Sequence, residues 1–174
     1  AVLLAQHNEV IGVDISQERV DMLNVRKSPI IDAELSEYLA EKDLNLSAST
    51  DLKFSIQGAD YVIVSTPTNY DEKTNFFDTS TVEAVIRQVI ECELSACIVV
   101  KSTIPIGFIE DVRERLDTDA VIFSPEFLRE GSALEDNLYP SRIIVGSNCD
   151  NGIKFANLLK ESAQKENIET LFLR

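Results

Sequence analysis

The sequence predicts an α/β fold, a doubly wound and mostly parallel sheet of the Rossmann-like type. Apolar runs of strand length alternate along the chain with segments of helical periodicity, which is the order that parallel crossovers produce. The runs at 61–65 and 98–100 are continuous in Val and Ile, which indicates strands buried on both faces. At 174 residues the chain is long enough for one domain with a sizeable core, but short for two.

The first half of the chain is predicted to contain two strands with two helices between them. The run Val10 to Val13 predicts a strand, and the following helix covers 17–25, with Ser16 in position to accept from its first backbone N–H groups. Apolar residues at helical spacing predict a second, amphipathic helix over 33–41. A short strand is predicted at 46–49.

The second half repeats the alternation with longer elements. A polar loop is predicted after the strand at 61–65, and then a helix at 79–91 whose apolar stripe faces a core. That stripe consists of Val82, Val85, Ile86, Val89 and Ile90. The remaining predictions are strands at 98–100, 121–123, 143–146 and 170–173, with helices at 108–116 and 152–165.

Composition and charge exclude several classes of function. The net charge of −14 argues against a nucleic-acid partner, because neutralising phosphates takes clustered Lys and Arg, and it disfavours anionic membrane surfaces. No apolar run approaches the roughly 18 residues of a membrane span. The three cysteines have no metal-like spacing and indicate reduced thiols in a cytoplasmic protein. Cys97, within an apolar run, is interpreted as a small buried hydrophobe.

Both ends of the sequence lie inside predicted structure. Ala1 to Ala5 has the pattern of the last turns of an apolar helix, and the chain stops on the apolar strand at 170–173. We therefore expect residues 1–174 to form one dinucleotide-binding domain truncated at both ends, with its first strand and glycine-rich turn before Ala1.

Asp14 directly follows the first predicted strand. In a dinucleotide-binding fold, a carboxylate at this place accepts hydrogen bonds from the adenosine ribose hydroxyls, and its charge repels a 2′-phosphate. The position therefore favours NAD over NADP, whereas the structural alternative is an ordinary turn residue. Arg19, five residues later, is interpreted either as a cation over the adenine or its phosphate, or as part of a solvated helix face.

Polar side chains also follow three later strands, at the edge where open α/β sheets bind ligands. Thr68 lies in the turn after 61–65, and Thr103 follows 98–100. The segment Ser124 to Gly131 adds Glu126 and Glu130, which would share one side if the segment turned helically. A carboxylate beside a bound substrate can hold water or relay a proton. The alternative interpretation is an acidic loop in an acidic protein.

Four motifs together resemble the UDP-glucose/GDP-mannose dehydrogenase family. They are 66–69 (TPTN), 101–107 (KSTIPIG), 124–131 (SPEFLREG) and 137–142 (NLYPSR). The resemblance covers essentially all of the chain in the same order, and it identifies the chain as similar to the family's N-terminal NAD-binding domain.

The resemblance implies a cofactor, a substrate and a reaction. NAD is the implied cofactor, and a small nucleotide sugar is the implied partner of a parent homodimer. The implied reaction oxidises the C6 alcohol of UDP-glucose to UDP-glucuronate, reduces two NAD, and passes through a thioester on a cysteine. The family's cysteine motif is absent from 1–174, so Cys92, Cys97 and Cys149 are not assigned that role. The chain alone is expected to be inactive.

The resemblance also assigns individual residues. Implied cofactor contacts are Asp14, Arg19, Thr68, Thr103 and Glu130. Implied substrate contacts are Glu126, Phe127, Leu128, Arg129 and Glu130, with the 127–129 backbone lining the nucleotide sugar. Two of these residues have implied catalytic roles, Glu126 in acid–base work or water activation and Thr103 in holding the catalytic water.

Three alternatives stay open at this point. A sister enzyme would oxidise another nucleotide sugar, such as GDP-mannose or a UDP-N-acetylhexosamine. A non-catalytic module would only sense NAD or a nucleotide sugar. A 3-hydroxyacid dehydrogenase of the 6-phosphogluconate type would share the fold, but it gives no reason for Glu126 and Glu130.

Overall fold

The computed structural model describes residues 1–71, 76–93, 95–129 and 131–173. Its contacts divide into two compact units, which are described one at a time below. The first unit comprises 1–55, 127–143 and 154–171, and the second comprises 56–126, 144–153 and 172–174.

The first unit opens with a strand–helix–helix–strand segment. In chain order it contains a 3-10 helix at Leu4–Gln6, β1 at Val10–Val13, α1 at Gln17–Asn24, α2 at Ala33–Glu41, β2 at Leu46–Ser49 and α3 at Leu52–Ser55. Strands β1 and β2 pair in parallel, with Val10 opposite Leu46. Ser16 and Asp32 cap α1 and α2 by accepting the backbone N–H groups of Arg19 and Leu35. The predicted Ser16 cap is confirmed.

The core of the first unit joins its early elements to a late helix. Helix α6, at Ala133–Leu138, packs against α2. The shared cluster of buried apolar side chains is Ala5, Tyr38, Leu39, Leu44, Leu46, Leu134 and Leu138. The sequence did not predict α6, because a helix of six residues shows too few apolar repeats to be distinguished from a turn.

The second unit is built on a parallel sheet. In chain order it contains β3 at Tyr61–Val64, β4 at Asn69–Asp71, β5 at Phe76–Asp78, α4 at Ser80–Cys92, β6 at Cys97–Val100, α5 at Phe108–Leu116 and β7 at Val121–Phe123. Strand β6 lies between β3 and β7 and is parallel to both. All side chains of β6 are buried, which confirms the prediction of burial on both faces for this strand, whereas Tyr61 and Ile63 of β3 are only partly buried. The α/β fold class with a mostly parallel sheet is likewise confirmed.

A short antiparallel hairpin replaces the predicted polar loop after β3. Strand β4 pairs with β5, placing Asn69 opposite Asp78. The rings of Tyr70 and Phe77 lie 4.8 Å apart between centroids. Strands of three residues give too little alternation to be recognised in a polar sequence, and cross-strand aromatic contact stabilises them only once the pairing has formed.

Three elements complete the described chain. They are β8 at Arg142–Val145, α7 at Asp150–Ser162 and β9 at Glu169–Phe172, and β8 is hydrogen-bonded to β9. Each lies within a few residues of its predicted position. Across the described residues, none of the helices combines the length and the apolar character needed to cross a bilayer.

Candidate functional site

The carboxyl ends of β3, β6 and β7 form one edge of the second unit. Because these strands are parallel and hydrogen-bonded neighbours, the chain leaves each of them on the same side of the sheet. Thr68, Thr103 and Glu126 follow the three strands in that order. Each of these three neighbouring strands is thus followed by a hydroxyl or carboxyl group within this unit.

Two of these strand-end loops are tied to each other. The buried Ser102 side chain donates to the carbonyl oxygen of Thr66 at 2.6 Å, which joins the loop after β6 to the loop after β3. Thr81 at the start of α4 donates to the carbonyl oxygen of Pro67 at 2.9 Å. With its neighbours held in this way, Thr103 lies exposed at the edge.

Gly107 lets the loop after β6 turn into α5. It is the N-cap residue of α5 and has a φ of 85°, in the left-handed region where a residue with a Cβ atom would have a strained backbone. The glycine therefore explains how the chain turns from the loop that carries Thr103 into α5, whose Phe108, Ile109 and Val112 are buried.

Lys101 is a site residue to which sequence reasoning gave no role. Only 12% of its side chain is exposed, and its Nζ lies 3.5 Å from the Ser124 carbonyl oxygen and 4.0 Å from Glu126 Oε1. Burial lowers the pKa of Lys101, and the nearby Glu126 carboxylate partly opposes that shift. The sequence does contain a signal for this role, since Lys101 directly follows a strand of wholly apolar residues. A buried ammonium there raises the free energy of the folded chain unless an acidic partner lies nearby.

Ser124 fixes the start of the loop that carries Glu126. It is buried, its N–H donates to the Val100 carbonyl, and its hydroxyl donates to the Ile144 carbonyl at 2.9 Å. The Glu126 side chain keeps 32% of its surface exposed. A carboxylate beside a buried ammonium and open to solvent can bind a polar ligand or hold water. The segment 124–129 is neither helix nor strand, so the condition under which Glu126 and Glu130 would share one side is not met over these residues. Pro125 removes a backbone donor at its start.

In the first unit, Asp14 and Arg19 lie together after β1. Asp14 Oδ1 accepts the Ser16 N–H at 2.8 Å, and Oδ2 lies 3.4 Å from Arg19 Nη1. The Asp14 side chain is 31% exposed and that of Arg19 is 58% exposed. The carboxylate is therefore held by a turn and still open to a further donor on Oδ2.

The residues 127–129 also belong to the first unit. Phe127 and Leu128 are exposed apolar side chains. The Arg129 guanidinium is bound by Asp136, with Nη2 2.6 Å from Oδ1. Glu130 lies outside the described residues. The predicted site residues are thus divided between the two units, with Asp14, Arg19 and 127–129 in the first and Thr68, Thr103 and Glu126 in the second.

The cysteines differ in their environment. Cys97 is buried, and burial raises its pKa to about 11, so its thiol is protonated at neutral pH. Cys92 and Cys149 are exposed free thiols. No group of three His, Cys, Asp or Glu side chains within the described segments is arranged to hold a metal ion.

Comparison with known proteins agrees with this geometry. The sequence profile of the UDP-glucose/GDP-mannose dehydrogenase family, NAD binding domain, matches residues 1–163. The chain belongs to this family. Within the UDP-glucose/GDP-mannose dehydrogenase family, it is 51% identical to UDP-glucose 6-dehydrogenase of Streptococcus pneumoniae over 98% of its length and 45% of the relative. It is 35% identical to that of Campylobacter jejuni, over 99% of its length and 44% of the relative.

A solved structure extends the family comparison to the fold. The chain superposes on GDP-mannose dehydrogenase of Pseudomonas aeruginosa, crystallised as a ternary complex, with a TM-score of 0.81 and 27% identity. The match covers 99% of this chain and 42% of that one. The chain therefore spans less than half the length of these members of the UDP-glucose/GDP-mannose dehydrogenase family.

Family membership makes NAD the cofactor of this domain, and the described residues suit it. The Asp14 carboxylate offers an acceptor for sugar hydroxyls, while Thr68 and Thr103 offer hydroxyl groups that both donate and accept. These groups match the chemistry of a dinucleotide, which presents ribose hydroxyls, phosphate oxygens and an amide.

Proposed function

We propose that this chain is the NAD-binding part of an enzyme that oxidises the C6 alcohol of UDP-glucose to the carboxylate of UDP-glucuronate. The observation that carries the proposal is the 51% identity to a UDP-glucose 6-dehydrogenase over 98% of the chain. The strand-end groups of the second unit support it, because they place hydroxyls and a carboxylate where open α/β sheets bind ligands.

In this proposal Asp14 binds the adenosine ribose. Its Oδ2 accepts from a ribose hydroxyl while Oδ1 stays on the Ser16 N–H, so the turn keeps the carboxylate oriented. Arg19 partly neutralises the carboxylate and, in this proposal, contacts the adenosine end of the cofactor. Bound NAD would supply a hydride acceptor, one molecule for the alcohol carbon and, after exchange of the reduced cofactor, a second for the aldehyde-level carbon.

Thr68, Thr103 and Glu126 are the site residues of the second unit in the same proposal. Thr68 and Thr103 bind the cofactor through their hydroxyls, and Thr103 also holds a water molecule. Glu126 accepts a proton from the reacting hydroxyl or from that water, a role that suits a partly exposed carboxylate. Residues 127–129 line the nucleotide sugar, and Glu130 contacts both the cofactor and the substrate.

We further infer that the site is completed outside 1–174 and that the enzyme is a cytoplasmic homodimer. A cysteine nucleophile belongs to the proposed reaction, and none of the three thiols of this chain lies in the family's cysteine motif. The chain alone should therefore not turn over substrate. Titration calorimetry of the chain with NAD, combined with an assay for NADH, distinguishes binding from turnover.

The substrate is tested with the full-length product of the gene. Purified enzyme is incubated with NAD and, separately, UDP-glucose, GDP-mannose or a UDP-N-acetylhexosamine, and NADH is followed by absorbance. We expect the largest kcat/KM with UDP-glucose and about two NADH per sugar oxidised, since an alcohol becomes a carboxylate in two hydride transfers. A higher kcat/KM with another sugar would assign the chain to a sister enzyme, and NAD binding without oxidation of any sugar would indicate a sensing module.

Glu126→Gln tests the proposed proton transfer. In the full-length enzyme we expect kcat to fall by about 100-fold or more, with the dissociation constant of NAD changed by less than about threefold. Gln keeps the size of the side chain but cannot accept a proton. The matched control is Glu110→Gln, an exposed glutamate in the first turn of α5. An unchanged kcat for Glu126→Gln would remove Glu126 from the mechanism.

A further inference from the structure

Arg129 is the single cation of the segment 124–131, and its charge is already occupied. Its Nη2 donates to Asp136 Oδ1 at 2.6 Å, and its Nε lies 3.2 Å from Oδ1 and 3.1 Å from Oδ2 of the same carboxylate. This bidentate geometry is the strongest form of an arginine–carboxylate contact. Glu135 is a more distant second partner, at 3.7 Å from Nη2.

The same carboxylate also holds the loop backbone. The N–H of Arg129 donates to Asp136 Oδ2 at 2.7 Å, and the Arg129 carbonyl accepts the Ser132 N–H at 3.2 Å. Asp136 therefore binds both the main chain and the side chain of one residue. An ion pair that joined only the two side chains would leave the Arg129 N–H without this contact to Asp136.

Helix α6 gives Asp136 a fixed position. Leu134 and Leu138 lie on one face of α6 and are buried in the core of the first unit. Asp136 lies between them in sequence, on the other face, and its side chain is only 17% exposed although that of Arg129 is 71% exposed. The packed helix is thus the anchor, and the exposed arginine is the part that is held.

We infer that Asp136 is a positioning residue that clamps Arg129 and thereby presents the backbone of 127–129 to the nucleotide sugar. In this arrangement the Arg129 guanidinium is a structural tie and does not serve as a receptor for the diphosphate. The clamp leaves Phe127 and Leu128 exposed, with 64% and 40% of their surface open to solvent. The substrate part of this inference rests on the proposed function, whereas the clamp itself does not.

The hydrogen bonds also predict when the clamp opens. The Arg129 side chain, and then its backbone N–H, lower the pKa of Asp136. The charged groups that meet at the clamp are Arg129, Asp136 and Glu135. The clamp should persist at neutral and mildly acidic pH and open as the pH falls through the lowered pKa of Asp136.

Tryptic cleavage of this chain after Arg129 tests the clamp without any assay of function. Trypsin must insert a free arginine side chain into its acidic pocket, so an arginine held by Asp136 is cut slowly. We expect Asp136→Asn to speed this cleavage by about tenfold, since it removes a charge-assisted bidentate contact. Glu135→Gln, the matched control on the neighbouring position, should change the rate by less than about twofold.

Equal cleavage of Asp136→Asn and the wild-type chain would overturn the clamp, and so would an equal effect of Glu135→Gln. The thermal unfolding midpoint of each variant is measured alongside, since global destabilisation would speed cleavage after every exposed Lys and Arg. A second variant, Arg129→Lys, keeps the charge and the backbone contact to Asp136 but loses the bidentate fork, and it should be cut no faster than Asp136→Asn.

Kinetics of the full-length enzyme test the substrate half of the inference. Asp136→Asn should raise KM for the nucleotide sugar by about tenfold while KM for NAD changes less than about twofold, because only the sugar contacts 127–129. Equal rises in both KM values would overturn this half and leave a merely structural tie. If no nucleotide sugar is oxidised, the proposed function and this half fail together, while the proteolysis result still decides the clamp.

Discussion

Asp14 shows how much of a proposed site one residue can carry at the end of a strand. It is partly exposed, its Oδ1 is committed to the Ser16 N–H, and its Oδ2 makes only a 3.4 Å contact to Arg19. The carboxylate is thus oriented before any ligand arrives. Such preorganisation lowers the cost of binding a ribose through hydrogen bonds.

Asp14→Asn should weaken NAD binding by about tenfold and reduce the preference for NAD over NADP. Asn keeps an oxygen for the Ser16 N–H, so the turn before α1 is preserved while the charge that repels a 2′-phosphate is lost. Calorimetric titration of the chain with each cofactor measures both effects. The control is Asp21→Asn, at an exposed aspartate of α1. Unaltered affinities for both cofactors would contradict the ribose role.

Lys101 gives a second residue-scale prediction, on stability. Burial lowers the pKa of Lys101 below the ordinary value of 10.5, which holds in the unfolded chain. At a pH between the lowered pKa and 10.5, the folded chain therefore binds fewer protons than the unfolded chain. The contribution of this lysine to the free energy of unfolding therefore rises with pH across that window. Lys101→Met should remove this rise.

The measurement is urea unfolding of Lys101→Met and the wild-type chain at several pH values from 8 to about 10.5. Subtracting the curve of unfolding free energy against pH for Lys101→Met from that of the wild-type chain isolates Lys101, because the tyrosines and cysteines that titrate in the same pH range are present in both. Lys53→Met, at an exposed lysine of α3, should leave the pH dependence of the wild-type chain in place. A difference curve that is flat for Lys101→Met would refute the lowered pKa.

At the scale of elements, an ion-pair network links α4 to α5 in the second unit. Arg115 of α5 binds Glu83 of α4 through both terminal nitrogens, at 2.6 and 2.7 Å, and Arg87 binds the same carboxylate. The Arg115 hydrogen bonds, followed by those of Arg87, lower the pKa of Glu83 to about 2. The two helices are thus joined by charge as well as by the sheet under them.

Glu83→Gln should destabilise the chain by about 1 kcal/mol at pH 7, since solvent screens a network of partly exposed side chains. The carboxylate contributes its stability fully above its unfolded pKa of 4.5, and the contribution is lost as the pH falls towards about 2. Chemical unfolding at pH 7 and pH 3 should therefore show a smaller gap between variant and wild type at pH 3. Glu91→Gln, exposed on the same helix, is the control. An equal gap at both pH values would contradict the network.

For the whole molecule, the excess of acidic residues sets the response to salt. The chain has 30 Asp and Glu against 16 Lys and Arg, for a net charge of −14. Repulsion among the excess charges acts over the whole surface, whereas added salt weakens only a few exposed ion pairs. Screening of the repulsion should therefore outweigh the weakening of those pairs.

We expect the thermal unfolding midpoint to rise by about 2–4 °C when NaCl is raised from about 0.01 M to about 0.15 M at pH 7. Differential scanning calorimetry measures the shift, and potassium acetate in place of NaCl controls for specific ion effects. A midpoint that falls with salt would mean that local ion pairs outweigh net repulsion.

The sequence alone determined the elements whose residues carry their own signal. Segments of strand length between helical patterns predicted β1, β2 and β7 at their observed bounds, and helical periodicity predicted α2 and α5, because residue type and spacing are properties of the local sequence. Family motifs were sufficient to assign the family and its cofactor, and the family profile confirms both.

Only the tertiary structure decided which polar groups meet. Lys101 and Glu126 are brought together by the pairing of β6 with β7, and Arg129 and Asp136 by the packing of α6 into the core of the first unit. The hairpin of β4 and β5 and the short helix α6 were missed for the same reason. Each is stabilised by contacts between separate elements, β4 with β5 and α6 with α2, and no local period records such contacts.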